Sequence, residues 1–225
     1  RIEVALRVDL SHSLGKKDAF AYLKSDLFHE NFATRINPTT GLTLHHDWLA
    51  KHAGLITRSR EIFMAHNKEK YGLPLAIWVA CEVWDFGCMS TLFSGLKTAD
   101  QSAIANSYCI NDGQVFASWL RSLNYLRNVC AHHSRLWNRN VVEEPKLPVL
   151  GEIPILNGFI GIGKGQLRTR PFLLLCLCQH LIRIINPSSS WGSRLKQHLQ
   201  DFPDLNHLGI TLQGMGIDEG WESHW

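Results

Sequence analysis

A basic side chain and an imidazole stand five positions apart near the middle of this 225-residue chain. Arg127 is followed directly by Asn128 and, after three intervening residues, by His132. A guanidinium can hold two phosphate oxygens in its planar fork, and an imidazole, with a pKa of about 6.5, transfers protons near neutral pH. These residue types suit chemistry at a phosphate ester. The alternative is that Arg127 forms an internal salt bridge with an acid on a neighbouring helix.

The pair lies in the segment Val115–Arg139, which the spacing of its apolar residues predicts to be a single long helix. At about 100° per residue, one apolar stripe gathers seven side chains: Phe116, Trp119, Leu120, Leu123, Leu126, Cys130 and Trp137. Roughly opposite lie cations, amides and one imidazole: Arg121, Asn124, Asn128, His132, Arg135 and Arg139. We interpret the stripe as the buried face and the polar line as the working surface.

Arg127 projects into the apolar stripe rather than the polar line. A buried, unpaired charge costs several kcal/mol, so Arg127 needs an anion or several hydrogen-bond acceptors. Glu3 is one candidate partner. Glu82 is another, because the run Ala76–Trp84 around it is apolar on nearly all sides and predicts a central helix with Glu82 buried. Arg7 is the alternative partner for Glu82.

Several stretches resemble a known bacterial family. The run RNVCAHHSRLWNR, residues 127–139, resembles the signature of Abi-like (abortive infection) proteins, and its Arg-to-His spacing is similar to the motif of HEPN domains. RIEVALR at residues 1–7 and PLAIWVACEVWDFG at residues 74–87 agree with further blocks of the family. Asp85 stands where the family usually has Ser or Thr, which leaves the role of that hydroxyl open. The tail GMGIDEGW, residues 214–221, is a weaker match.

This resemblance implies an all-α, HEPN-like helical bundle with inserted helices. In HEPN domains two copies bring their motifs together in a shared cleft, and a homodimer is the simplest way for this chain to do so. The implied function is a metal-independent endoribonuclease that acts as a toxin in antiviral defence, where RNA damage halts the growth of infected cells. No cofactor and no metal are expected.

RNA carries its own nucleophile in the 2′-hydroxyl, so cleavage requires only proton transfers and stabilisation of the phosphorane. On this reading His132 is the general acid or base and Arg127 contacts the scissile phosphate. Asn128 orients either the substrate or His132. His133 points about 100° away from His132 on the predicted helix and is interpreted as a structural residue or a dimer contact.

Three further arginines are predicted to contact RNA. Arg121, Arg135 and Arg139 share the polar line with His132, where they can follow the RNA backbone electrostatically. For Arg135 and Arg139 an equally reasonable interpretation is a capping interaction near the helix C-terminus.

Two other functions stay open at this point. The same side chains could grip a regulatory small noncoding RNA without cutting it, as in a non-catalytic RNA-binding module. A metal site built from His132, His133 and either His45 or His46 is less favoured, because vicinal histidines on a regular helix cannot both face one metal.

Composition sets broad limits. Hydrophobic residues make up 45% and aromatic residues 10% of the chain, which predicts a packed core. The net charge is only +3, so any basic surface must be local. The six cysteines lack a C-x2-C pair and are predicted to be reduced, buried thiols of a cytoplasmic protein. The longest apolar run, residues 172–185, is shorter than the roughly 20 residues that span a bilayer.

Along the chain, turn and capping residues divide the sequence into helices. A single domain over residues 1–225 is expected, with a first helix that begins without a cap and so indicates a missing N-terminal portion. Asp47 is the predicted N-cap of a helix that Gly72 ends, and Pro74 and Pro171 begin helices. The predicted helices occupy residues 1–14, 18–28, 47–70, 99–108, 115–139, 171–185 and 191–199, together with the one from Pro74; residues 140–170 form an irregular Pro/Gly-rich loop and residues 202–225 a tail.

The segment GFIGIGKG, residues 158–165, nearly spells a phosphate-binding P-loop. It is rejected on two grounds. Position 165 is Gly where the motif needs a hydroxyl, and no helix is expected to begin at Lys164.

Overall fold

The computed structural model describes all of residues 1–225, and the fold is all-α as predicted. It has eleven α-helices, seven short 3-10 helices and no β-strand. The chain forms two compact units. The N-terminal unit comprises residues 3–107, and the C-terminal unit comprises residues 108–225 together with Arg1 and Ile2.

Seven α-helices precede the division between the units. They are α1 (Ile2–Gly15), α2 (Glu30–Thr34), α3 (Leu44–Arg58), α4 (Ile62–Tyr71), α5 (Ile77–Ala80), α6 (Phe86–Gly95) and α7 (Thr98–Asn106). Three 3-10 helices lie between them, at Ala21–Leu23, Ser25–Leu27 and Cys81–Val83. Spacing by four residues buries Leu6, Leu10 and Leu14 along one line of α1.

Aromatic rings and a histidine form the centre of the N-terminal unit. The indole N–H of Trp84 donates to Nδ1 of His52 at 2.9 Å, and the His52 ring stacks on Trp48 with an interplanar angle of 10°. Trp48 in turn donates to the carbonyl of Cys88 at 2.9 Å, and the Tyr22 hydroxyl donates to the carbonyl of Leu75 at 2.7 Å. The Trp48 and Trp84 indoles and the Tyr22 hydroxyl therefore each have a partner, as the burial of tryptophan and tyrosine requires.

Three helix predictions in this unit need correction. The segment 18–28 contains two 3-10 helices rather than an α-helix. No helix begins at Pro74, since the short helix α5 begins at Ile77 with Ala76 as its N-cap. The segment 47–70 is two helices, capped by Thr43 rather than Asp47, with α4 ending at Gly72 as predicted. The break follows Arg58, where the Glu61 N–H lies 3.4 Å from the Ser59 hydroxyl, a local contact that competes with helix formation.

Four α-helices make up the C-terminal unit. They are α8 (Gly113–Ala131), α9 (Gly165–Arg168), α10 (Pro171–Ile185) and α11 (Trp191–Gln200). Asp112 caps α8 by accepting from the Gln114 N–H at 2.7 Å, and Pro171 occupies the first turn of α10 as predicted. The 3-10 helices lie at Pro154–Phe159, Asn206–Leu208, Leu212–Met215 and Trp221–Ser223.

Residues 143–146 run along the side of α8 as an extended strap. The Ser122 hydroxyl donates to the carbonyl of Glu143, and the Trp119 indole donates to the carbonyl of Lys146 at 2.8 Å. The Ser118 hydroxyl accepts from the Lys146 N–H at 2.9 Å. The strap thus satisfies the polar groups that α8 carries on its buried side.

The near-P-loop segment shows a second departure from expectation. A four-residue helix, α9, does begin at Gly165, so one of the two grounds for rejecting a nucleotide site was wrong. The ammonium of Lys164 is held 2.6 Å from the Asp218 carboxylate. The missing hydroxyl at position 165 still argues against a P-loop. Elsewhere, none of the helices is both long and apolar enough to cross a lipid bilayer.

Candidate functional site

The motif sits at the C-terminal end of α8, and that helix is shorter than predicted. It ends at Ala131 instead of continuing to Arg139. The N–H of Ser134 donates to the carbonyl of Val129, and the N–H of His133 donates to the carbonyl of Cys130, both at 3.0 Å. This pair of bonds is a Schellman motif, with His133 in the left-handed position at φ 51°.

The left-handed residue changes what surrounds His132. Because the chain reverses at His133, Arg135 and Arg139 do not continue a helical line through Asn128 and His132. The predicted working surface on one helix is therefore wrong beyond Ala131. His132 itself is the C-cap residue, and its N–H donates to the Asn128 carbonyl at 3.0 Å.

Arg127 is exposed rather than buried. Most of the predicted stripe is confirmed as buried: Phe116, Trp119, Leu120, Leu123 and Leu126. Near the end of α8 the buried face shifts toward Ser122 and Val129, and Cys130 is exposed, contrary to the prediction. The Nη1 atom of Arg127 donates to the side-chain oxygen of Asn128 at 3.1 Å, so this amide contacts the cation.

Both acids considered as partners of Arg127 lie beside Arg7. The Arg7 guanidinium is 3.7 Å from a carboxylate oxygen of Glu3 and 3.7 Å from one of Glu82. It also donates to the carbonyl of Trp84 at 3.3 Å. The alternative pairing of Glu82 with Arg7 is therefore confirmed. The predicted burial of Glu82 is wrong, since its side chain is 52% exposed in a short 3-10 turn rather than in a central helix.

His132 and His133 are both exposed, and neither ring makes a hydrogen bond or ion pair within the chain. Asn128 is half-buried between the exposed Arg127 and the end of the helix. The structure thus leaves a guanidinium and an imidazole open to solvent on the last turn of α8. Their positions permit contact with an anion from solution.

The three predicted RNA-contacting arginines differ in their surroundings. Arg121 and Arg135 are exposed and have no acidic partner within the chain. Arg139 is half-buried: its Nε donates to the Tyr125 hydroxyl at 2.8 Å, and its guanidinium lies 5.9 Å from the centre of the Tyr125 ring. Arg139 therefore fastens the segment after the turn to α8.

Tyr125 is a residue that sequence reasoning missed. Its hydroxyl accepts from the Arg139 side chain and also donates to the backbone carbonyl of Asn140 at 3.1 Å. Helical periodicity does not predict its contact with Arg139, because Tyr125 lies within α8 and Arg139 lies beyond the end of that helix. Trp137 has a similar role, since its indole donates to the carbonyl of Thr211 in the tail at 3.1 Å.

Potential metal ligands do not converge. No group of three or more His, Cys, Asp or Glu side chains has a metal-binding arrangement. His45 is buried with Nε2 at 2.8 Å from the Tyr22 carbonyl, and burial lowers its pKa. His46 bonds to the Thr43 hydroxyl at 2.8 Å.

All six cysteines are free thiols. Cys81, Cys88 and Cys176 are buried, as predicted. Burial raises the pKa of Cys81 to about 11 and that of Cys88 to about 12. The prediction of buried thiols is wrong for Cys109 and Cys130, which are exposed. Cys109 lies in a turn with φ 55°, and Cys130 lies on the solvent side of the last turn of α8.

Comparison with known proteins gives one match. Neither the curated proteins nor the solved structures contain a match to this chain. The sequence profile of the Abi-like protein family matches residues 1–138, which is more than half of the chain and includes α1, Asp85 and the motif at the end of α8. By this match, the chain belongs to the Abi-like protein family.

Proposed function

We propose that this protein is a metal-independent endoribonuclease of a bacterial anti-phage abortive-infection system. Membership of the Abi-like family points to a role in abortive infection. The nuclease activity rests on the residues at the end of α8. Arg127 holds the scissile phosphate, and His132 transfers the proton taken from the 2′-hydroxyl or given to the 5′ leaving oxygen.

The observation that supports the proposal is the exposure of both side chains. A phosphate-binding cation must be reachable from solution, and a proton-transfer group needs a ring nitrogen that is not already occupied. Arg127 and His132 meet these conditions at the end of α8, and the helix provides them with rigid support.

Asn128 holds the cation in place. Its side-chain oxygen accepts from Nη1 of Arg127, which leaves the other N–H groups of the guanidinium free for phosphate oxygens. We therefore assign Asn128 to orienting Arg127, in addition to the roles considered from the sequence.

A second copy completes the site. Transesterification of RNA needs two proton transfers. The motif of a single copy supplies only one imidazole, that of His132, together with one cation, that of Arg127. Two copies paired about a twofold axis place two of each around one phosphate. We propose a cytoplasmic homodimer that acts on RNA, with no cofactor.

The test is RNA cleavage in the presence of EDTA by the purified protein. Wild type should cut RNA and leave 2′,3′-cyclic phosphate ends, while His132→Ala and Arg127→Ala should lose cleavage and keep their helical circular dichroism. His66→Ala, which removes an exposed histidine from α4, is the matched control and should cut normally.

Other outcomes contradict the proposal. RNA binding without cleavage by wild type would indicate the RNA-binding module that holds a regulatory small RNA. Cleavage that appears only after a metal is added would contradict the metal-independent mechanism. Unchanged cleavage by a folded His132→Ala variant would remove His132 from the chemistry.

A further inference from the structure

A small cavity in the C-terminal unit lies far along the chain from the motif. Its volume is about 150 Å³. The buried floor includes Phe159, Phe172 and Cys176, which are exposed by 5%, 4% and 1% respectively. Trp221 and Trp225 form the half-buried sides. A cavity of this volume is large enough for one small organic group.

Three of the lining rings form a corner. Phe172 and Trp225 are nearly parallel, with an interplanar angle of 15° and centroids 6.0 Å apart. Trp221 stands almost perpendicular to both, with centroid distances of 5.4 Å to Phe172 and 5.6 Å to Trp225. Because all three rings line the same cavity, a single bound group can contact more than one of them.

The position of Trp225 is fixed by more than ring contacts. Its indole N–H donates to the carbonyl of Gly192 at 3.0 Å, in the first turn of α11. Phe159 extends the aromatic lining next to Phe172, with a centroid distance of 6.1 Å. The lining is therefore held by buried packing and a hydrogen bond.

The opening of the cavity carries acidic side chains. Asp218 and Glu219 are both exposed at the rim. Lys164 also lines the cavity, but its ammonium pairs with Asp218 at 2.6 Å, whereas Glu219 has no cationic partner. The surrounding chain is also acidic, since residues 197–225 contain five Asp or Glu and no Lys or Arg. The rim thus has an excess of negative charge.

We propose that this cavity binds an organic cation with a methylated ammonium head. The electron-rich faces of aromatic rings attract a cation, and the unpaired carboxylate at the rim adds to that attraction. A primary ammonium would lose hydrogen bonds to water that a floor of phenyl rings and a thiol cannot replace. A methylated nitrogen has no N–H groups to satisfy, so it suits this lining.

Two probes of the same shape separate charge from size. Choline carries the cationic head, and 3,3-dimethylbutan-1-ol replaces its nitrogen with carbon and is neutral. Titration of the full chain, followed by calorimetry or by ligand-detected nuclear magnetic resonance, should show saturable binding of choline. The neutral analogue should bind about tenfold more weakly, the size of effect expected for loss of a desolvated cation–π contact.

Variants locate the binding. Trp221→Leu should weaken choline binding about tenfold and leave binding of the neutral analogue little changed. Glu219→Gln should weaken choline binding by a factor of about three, as expected for a partly exposed charge. Glu222→Gln, which removes an acid that does not line this cavity, is the matched control and should bind choline as wild type does. Thermal unfolding of each variant checks that it is folded.

Three results would overturn the proposal. These are no binding of choline by the folded wild type, equal affinity for the two probes, and unchanged choline binding by a folded Trp221→Leu variant. The cavity lies apart from Arg127 and His132 in sequence, and its test uses no RNA. Its outcome is therefore separate from that of the proposed nuclease.

Discussion

The backbone N–H of Ser134 donates to the carbonyl of Val129 at 3.0 Å and so closes the end of α8 around His133. This bond spans five positions instead of four and requires a left-handed residue inside the turn. It fixes where α8 stops and leaves His132 as the last residue on the helical side. The location of the proposed catalytic imidazole therefore depends on a backbone turn.

His133→Gly should stabilise the protein. A left-handed conformation costs a residue with a Cβ atom about 1 kcal/mol relative to glycine, so removing the side chain should raise the free energy of unfolding by about that amount. His133→Val should lower it, because a β-branched residue tolerates positive φ poorly. Urea unfolding of both variants measures the effect. Loss of RNA cleavage in a folded His133→Gly variant would show that the His133 imidazole has a chemical role and is not only structural.

Mixing two inactive variants should restore part of the cleavage activity. In a shared cleft, a heterodimer of Arg127→Ala and His132→Ala retains one cation from one copy and one imidazole from the other. That single imidazole can take the 2′-hydroxyl proton and then give it to the 5′ leaving oxygen, less efficiently than two imidazoles. Each variant alone should be inactive in EDTA, and the mixture should recover a fraction of wild-type cleavage after subunit exchange. The measurement is RNA cleavage together with sedimentation to establish the dimer. An inactive mixture that demonstrably forms heterodimers would contradict the shared site.

Arg135→Gln should weaken RNA binding, whereas Arg139→Gln should mainly lower the stability of the fold. Arg135 is exposed, so its loss should reduce affinity evenly across sequences and lower the slope of log affinity against log salt by about one. Arg139 is engaged with Tyr125, and its loss should lower the free energy of unfolding by about 1 kcal/mol. Binding titrations at several salt concentrations and urea unfolding separate the two effects. Equal salt slopes for wild type and Arg135→Gln would remove Arg135 from the RNA contact.

Acidification should destabilise the N-terminal unit through His52. Burial lowers the pKa of His52 to about 4, whereas an unfolded histidine titrates near 6.5. Between those values the unfolded chain binds a proton that the folded chain does not, so stability falls as the pH falls through this range. The loss should reach about 3 kcal/mol near pH 4. Burial also lowers the pKa of His45 in the same unit, which adds loss of stability in the same direction, and that of His180 in the C-terminal unit.

The contribution of His52 can be isolated by substitution. His52→Gln offers the Trp84 indole a carbonyl acceptor without a titrating ring. It should be less stable than wild type at pH 7 and lose less stability on acidification. Urea unfolding at pH values between 4 and 7 gives both slopes. Identical slopes for the two proteins would show that His52 does not carry this pH dependence.

Asp85→Ser should preserve stability, and Asp85→Ala should lower it by about 1 kcal/mol. Asp85 is the N-cap of α6, where its carboxylate accepts from the Cys88 N–H at 2.6 Å. A serine or threonine hydroxyl makes the same bond, which explains how the hydroxyl usual in this family and the carboxylate here can be equivalent. Loss of the 2.9 Å pair with Lys51 adds little, since that pair is partly exposed. A serine variant as unstable as the alanine variant would contradict the capping role.

Local sequence signals located many of the helix ends. Pro171 marks the start of α10, and Gly72 ends α4 with φ 71°. The signals failed where a competing contact decided the outcome. Thr43 instead of Asp47 caps α3, because both residue types suit an N-cap and only the chain conformation selects between them.

The sequence by itself determined the all-α class, the Arg127–His132 spacing and the membership of the Abi-like family, because helical periodicity and motif spacing are local properties. Only the tertiary structure decided that α8 stops at Ala131 and that Arg127 faces solvent. It also decided that Arg7 pairs with Glu82 and that Phe172 meets Trp221. These features depend on which surfaces of a helix are covered and on contacts between residues distant in the chain. A helical wheel assigns angles around an axis, and the packed neighbours determine which of those angles is buried.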